Sequence, residues 1–325
     1  MLIEQYKKSS YNFIKVIDNN FEVLLCDLGA SIVAIKYNGD YMTQTYVNDE
    51  SFFKDDEYAG KLVGRTANRV KGNKVVIENK EYIIMNNEGE NTLHGGKEGL
   101  STKIFSYDIK ENEDEVEVVF SFLSKEGESG FPGNLNVKVS YLIKKGQKEL
   151  IIKFNATTDK TTFCSLANHA YYTVGEPSLE KTKLYINASN YLKCNPKDLL
   201  PIKKEVCPDI LSFKQTKEIM KDVDNEIFLN SKANGYDHHF YFDEVNPDIV
   251  QLELIGTKYK MGIYTDYSGV QIYSCNHLNE DPCYGLFPIR RKSIAIEPQE
   301  SFLDIHLLKP GETYSHYVKL VFSKL

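Results

Sequence analysis

Five short stretches gather the residue types that could do chemistry: GRTANRV (64–70), NTLHGG (91–96), SLANHAYY (165–172), NGYDHHF (234–240) and IAIEPQ (294–299). Glu297 is the sharpest of these residues, because an apolar strand runs directly into its carboxylate. Partial burial there would raise its proton affinity and suit it to act as a base. A histidine opposite it, with an ordinary pKa of about 6.5, would supply or receive a proton at neutral pH. Asparagines, an arginine, an aspartate and a glutamine around such a pair would read hydroxyl groups, and tyrosines would offer faces to a sugar ring.

Each stretch also has a plain structural reading. A lone histidine is usually a hydrogen-bonded packing residue, Arg65 or Arg69 can simply pair with a carboxylate, and Gly95-Gly96 can be a turn. A metal centre could draw on His94, His169, His238, His239 and Asp237, but there is no HxxxH pair on a helix. In DHHF, moreover, adjacent strand residues face opposite ways, so His238 and His239 do not share an ion. A GxSxG elbow is missing, and the sequence approximation to a Cys–His pair is Cys275-Asn276-His277. GGKEG lacks both the phosphate-loop form and a helix after it. What remains is proton transfer or plain binding, with no metal.

The elements that must position these groups read as strands. The 22 tyrosines and 17 phenylalanines, with many valines and isoleucines, suit pleated half-buried surfaces. Runs such as FEVLLCDLGASIVAIKYNG, NKVVIENKEYIIM, VEVVFSFLS, LNVKVSYLIKKGQKELIIKFNATT, TKLYINAS, HHFYF, IVQLELIG, GVQIYS and YVKLVFSKL alternate in part and are broken by Gly, Asn, Asp or Pro. A break at Asn79-Lys80 and another at Lys145-Gly146 predict hairpins and antiparallel neighbours. The acidic KENEDEVE reads as a solvated hairpin tip. Helical period is confined to ILSFKQTKEIMKDVDNEIFL, as a short helix followed by a loop. With no fixed repeat and no linker, one large antiparallel β-domain over residues 1–325 is the economical reading.

A chain of 325 residues with 42% hydrophobic content can bury a full core. Its formal charge of -7 argues against nucleic acid or an anionic membrane surface as the main partner. No secretory signal or spanning segment is evident, which predicts a cytoplasmic protein. The six cysteines make no CxxC pair and read as reduced, mostly buried thiols, with Cys275 lying close to a candidate site segment.

Taken together, GASIVAIKYNG, YAGKLVGRTANRVKGNKVVIENKEYIIMNNEGENTLHGGKEGL, GESGFPGNL, SLANHAYYTVG, NGYDHHF, SGVQIYSCNHL and IAIEPQ resemble the aldose 1-epimerase (galactose mutarotase) family, in the family's order from about residue 25 onward. The resemblance implies an all-β, antiparallel β-supersandwich with few short helices. It also implies a cofactor-free isomerase acting on free pyranose sugars such as galactose or glucose, as a monomer or homodimer. Carried over by position, Glu297 would take the proton of the anomeric hydroxyl and His169 would protonate the ring oxygen. His94 would assist at the ring or anomeric oxygen, and Asn68, Arg69, Asp237 and Gln271 would hold sugar hydroxyls. Glu297 and His169 are expected to face each other across the ring.

Two departures bear on selectivity. After IAIEPQ the chain reads ESFLDIHLLKPGETYSHY, without the proline-aspartate-alanine segment that the family carries, which predicts a different wall beside Glu297. Arg290, Arg291 and Lys292 would serve a phosphorylated or modified sugar if they face the site. A non-catalytic sugar-binding or sensor protein is the other alternative, but such a protein needs neither base nor acid. The chain has no tryptophan, so stacking falls to residues such as Tyr171 and Tyr172, at least one of which should be core.

Overall fold

The structure is a computed structural model, and it describes the chain apart from Thr45, Val47, Asp55, 278–289 and His306. Among the described residues three antiparallel sheets dominate. A five-stranded meander uses Leu2–Lys8, Tyr11–Asp18, Phe21–Cys26, Ser31–Tyr37 and Asp40–Tyr41 in sequence order. A nine-stranded sheet runs Ser106–Glu111, Glu115–Ser124, Leu135–Lys144, Glu149–Thr158, Tyr314–Lys324, Tyr259–Thr265, Leu252–Ile255, Lys183–Ile186 and Lys217–Glu218. The third sheet has six strands in the order Tyr171–Tyr172, Ile294–Pro298, Gly269–Tyr273, Asp237–Tyr241, Asn190–Cys194 and Pro201–Val206.

The alternation that predicts half-buried strands is what closes the core. In Glu115–Ser124, Val116, Val118 and Phe120 point inward, and in Glu149–Thr158 the inward set is Leu150, Ile152 and Phe154. They meet Ile14, Val23 and Ile35 of the meander and Phe240, Val270, Ile272, Ile294 and Ile296 of the six-stranded sheet in one continuous apolar cluster. Each such side chain contributes about 1.5–3 kcal/mol on burial.

Two sequence expectations are corrected. The first hairpin turns one residue earlier than expected: Ile77 pairs with Lys80, so the turn residues are Glu78 and Asn79, both left-handed at φ 51° and 62°. That backbone is the mirror-image turn that matches strand twist. The helix around 210–229 shrinks to a turn at Ile219–Asp222 and one α-turn at Glu226–Leu229, capped by the Asn225 side chain. Its buried residues, Leu211, Phe213, Ile219, Val223 and Phe228, do not keep a helical stripe, and Lys217–Glu218 is drawn into the large sheet by pairing with Lys183 and Leu184. The Lys145-Gly146 hairpin and the acidic tip between Glu111 and Glu115 form as expected. Strands Leu2–Lys8 and Tyr11–Asp18, which lie before the recognisable motifs, complete the meander.

The six-stranded sheet positions the chemistry. Its strands pair so that His239 sits opposite Gln271 and Gln271 opposite Glu297. Because strand side chains alternate, Asp237, Gln271, Tyr273 and Glu297 all leave the face opposite the apolar cluster.

Candidate active site

That face forms one side of a cavity of about 310 Å³, lined by Asn68, Arg69, His94, His169, Asp237, Gln271 and Glu297 together with Glu57, Tyr58, Glu88, Tyr171, Leu199, Lys232, Tyr273 and His277. The size is at the small end of small-molecule pockets. All seven residues expected from the sequence therefore converge. Of the additional lining residues Tyr171 is a stacking candidate from the sequence; the others carry no distinct local signal, since their membership depends on which distant loops meet.

At the base of the cavity His169 Nε2 lies 3.4 Å from Glu297 Oε1, and both side chains are buried. The expected arrangement across a ring is thus replaced by two groups side by side. The reason is local: the His169 backbone is fixed by its N–H donating to the Lys61 carbonyl and its own carbonyl accepting from Gly60, while Ala167–Asn168 lies close to the Glu297 strand. Asn168 is spent on this loop, donating to the Gly60 carbonyl at 2.7 Å and accepting from the Ala170 N–H. Burial, then the charge of Asp237, pushes the Glu297 carboxyl well above the usual range, against the opposing pull of Arg69.

His94 meets His169 edge to face at 5.2 Å between ring centres, and Tyr58 closes over it at 4.7 Å. It occupies a left-handed position, φ 51°, at the mouth of a tight loop that only glycine can complete. A Cβ on Gly95 would fall 1.9 Å from the Gly64 carbonyl oxygen. The Asn68 backbone N–H donates to His94 Nδ1 at 3.2 Å, which places the proton of the neutral ring on Nε2. Burial, with His169 and Arg69 nearby, holds the His94 pKa well below its ordinary value, so the ring is neutral.

A chain of hydrogen bonds orients the polar wall. The Asn68 side-chain amide donates to Gln271 Oε1 at 3.0 Å, and Gln271 Nε2 donates to Asp237 at 2.6 Å. Asp237 faces Arg69 Nη1 at 3.5 Å, and Arg69 donates twice to Glu88, from Nε at 2.7 Å and from Nη2 at 3.0 Å. Lys232 reaches the same carboxylate at 3.2 Å.

Ligand atoms of His94, His169 and Glu297 lie within 4.8 Å of one another, close enough to suggest a metal cluster. The His94 tautomer opposes this, because Nδ1 is occupied as an acceptor and Nε2 presents a proton rather than a lone pair. His238 and His239 do face opposite ways: His238 packs toward Tyr236 and Phe228, and His239 toward Tyr241.

Other expectations sort as follows. Tyr171 lines the cavity, 5.1 Å from the His169 ring, whereas Tyr172 belongs to the apolar core. Among the described residues Arg65 pairs with no carboxylate and instead donates to the carbonyls of Ser124, Lys125, Pro132 and Gly133. Arg290, Arg291 and Lys292 are not among the lining residues, and Arg291 turns to Asp224 and the Asn234 carbonyl. No described residue after Glu297 lines the cavity, because the chain turns away and Leu307–Leu308 pairs with Thr162–Phe163. The described part of the segment after Gln299 instead places Glu300, Ser301 and Phe302 on a small cleft that shares Asn68 and Arg69 with the cavity. Cys26, Cys164, Cys194, Cys207 and Cys275 are free thiols, while Cys283 lies outside the described residues.

The pocket is strand-built, with a buried carboxylate beside a histidine and a hydrogen-bonded polar wall. The family model described as Aldose 1-epimerase matches residues 13–321, and the chain belongs to that family. It is accordingly an isomerase. It is 29% identical over 292 residues to the galactose mutarotase of Bos taurus, covering 84% of this chain and 81% of that one. It is 28% identical over 289 residues to the aldose 1-epimerase of Escherichia coli K12, covering 82% and 80%. In fold it matches the galactose 1-epimerase of Lactobacillus acidophilus with a TM-score of 0.89 at 22% identity, over 99% of this chain and 98% of that one. It also matches an aldose epimerase homologue from C. elegans at 0.85 and 23%, over 97% and 100%. The fold is therefore the β-supersandwich of the galactose mutarotase type.

Proposed function

We propose that this protein interconverts the α and β anomers of a free hexose such as galactose or glucose, the whole chain 1–325 acting as one cofactor-independent domain. The observation that carries the reading is the 3.4 Å contact of His169 with Glu297 in the base of a polar cavity. The anomeric hydroxyl and the ring oxygen are bonded to the same carbon, so an adjacent base and acid reach both. Glu297 takes the proton of the anomeric hydroxyl as His169 gives one to the ring oxygen, and the ring opens to the aldehyde. Rotation about the first carbon–carbon bond presents the other carbonyl face, and closure returns both protons with the roles reversed. His94, through its Nε2–H, donates to an oxygen at the reacting centre. Asn68, Arg69, Asp237 and Gln271 hold the remaining hydroxyls in place.

A neutral sugar suits this cavity better than a phosphorylated one. Its lining cations are Arg69 and Lys232, and both are committed to carboxylates. We place the enzyme in the cytoplasm as a monomer or homodimer, without nucleic-acid or membrane partners. Its net charge of -7 opposes an anionic nucleic-acid or membrane surface as partner, and no described helix is long and apolar enough to cross a membrane.

The test is the relaxation of optical rotation of freshly dissolved α-galactose, α-glucose and a sugar phosphate. Wild type should speed the approach to the same final rotation for the free hexoses, and Glu297→Gln should lose about 10² to 10⁴ of that acceleration. A variant that relaxes galactose as fast as wild type would remove Glu297 from the chemistry.

A further inference from the structure

The cavity contains a residue whose arrangement goes beyond proton transfer. Glu88 comes from the NNEGEN loop, remote in sequence from the six-stranded sheet, yet its carboxylate holds both lining cations at once. Oε2 accepts from Arg69 Nε at 2.7 Å and Oε1 from Arg69 Nη2 at 3.0 Å, a two-pronged grip that fixes the guanidinium plane. Oε1 also takes Lys232 Nζ at 3.2 Å. The pair is largely shielded, with 12% of the Arg69 side chain and 22% of the Glu88 side chain exposed, whereas Lys232 is 45% exposed and reaches Glu88 from the rim.

We infer that Glu88 is a specificity-determining residue that masks the two cations of the cavity, so that the site reads neutral sugars and rejects anionic ones such as uronic acids and sugar phosphates. The inference rests on the anomer-exchange reading above.

The charge count supports it. Asp237 and Glu88 offset Arg69 and Lys232, so the two cations of the lining leave no surplus positive charge for an anionic substituent to meet. With Glu88 uncharged, Lys232 loses its carboxylate and Arg69 keeps only the looser 3.5 Å approach to Asp237. A shielded donor, Arg69, and a more exposed one, Lys232, then become available to a carboxylate or phosphate. Burial raises the proton affinity of Glu88, but the hydrogen bonds and charge of Arg69 and Lys232 outweigh it and keep the group ionised, so the mask is present at neutral pH. Glu88 also orients Arg69 for hydroxyl binding, so its loss should weaken galactose through KM more than through kcat.

The experiment compares wild type, Glu88→Gln, Glu88→Ala and Glu88→Asp by polarimetry and by calorimetric titration with galactose, galacturonic acid and galactose 6-phosphate. Glu88→Gln should lose about tenfold in kcat/KM for galactose and gain about tenfold in affinity for galacturonate, each step corresponding to about 1.4 kcal/mol. Glu88→Asp keeps the charge and should still exclude the anions. Glu88→Ala supplies the neutral case should Glu88→Gln fail to fold, as judged by circular dichroism. Equal losses for neutral and anionic sugars, or unchanged anion affinity in both folded neutral variants, would overturn the inference. Absence of galactose turnover in wild type would count against the anomer-exchange reading instead, and the binding titrations would still decide the role of Glu88.

Discussion

Replacing Arg65 by methionine should destabilise the fold through three carbonyl oxygens left without their donor. The guanidinium donates to Pro132 at 2.8 Å, Gly133 at 2.9 Å, and Ser124 and Lys125 at 3.0 Å each. It also reaches the hydroxyls of Ser124 and Thr162, which can turn to other partners. The Lys125 carbonyl keeps the Glu128 N–H at 3.1 Å. Orphaning a buried polar group costs about 1 kcal/mol at the low end, so the other three carbonyls sum to about 3 kcal/mol. Part of this is offset, because Arg65 is 2% exposed and burial lowers its pKa to about 10, a sign that the cation itself is held at a cost. A net loss of about 2 kcal/mol follows. With a urea slope of about 3 kcal/mol per molar, the unfolding midpoint should fall by about 0.7 M. Tyrosine fluorescence is a clean probe, as the chain has 22 tyrosines and no tryptophan. Arg65→Lys, a point charge without the fork, should fall between wild type and methionine. A midpoint shift under about 0.3 M for Arg65→Met would refute the reasoning and mean that water or neighbouring groups satisfy the carbonyls.

Two further outcomes depend on the buried base. Activity should decline as pH falls through the raised pKa of Glu297, and Asp237→Asn, by removing a charge that raises it, should move this acid limb to lower pH. A limb that stays put or moves upward in kcat/KM profiles would contradict that electrostatic link. Glu297→Gln should be more stable than wild type at neutral pH. The folded state binds the Glu297 proton more tightly than the unfolded chain does, so wild-type stability is complete below the ordinary carboxylate pKa and is lost as pH rises through the folded one. The melting difference should vanish near pH 4, and a Glu297→Gln protein less stable than wild type at about pH 7.5 would show that the carboxylate is better solvated than its burial implies.

What the sequence makes legible is what is local. Alternating runs such as VEVVFSFLS are strands, and the polar stretches that hold Asn68, Arg69, His94, His169, Asp237, Gln271 and Glu297 do meet in one cavity. What it hides is set by register and loop meeting. The adjacency of His169 and Glu297 follows from how residues 167–168 lie beside the strand Ile294–Pro298. Glu88 and Lys232 are ordinary surface residue types in loop segments, and only the fold brings them onto Arg69. The shifted turn at Glu78-Asn79 and the dissolved helix after Ile210 have the same origin, since pairing with neighbouring strands decides both.

The position of strand Tyr314–Lys324 in the nine-stranded sheet has a consequence for how the chain assembles. Four strands lie to either side of it, and it alone bridges Glu149–Thr158 to Tyr259–Thr265. During synthesis the two halves of that sheet therefore wait, each with an open edge able to recruit a stray strand, until this late segment leaves the ribosome and slots between them. The strand is a keystone, and a chain cut before it would present two sticky half-sheets to the cell.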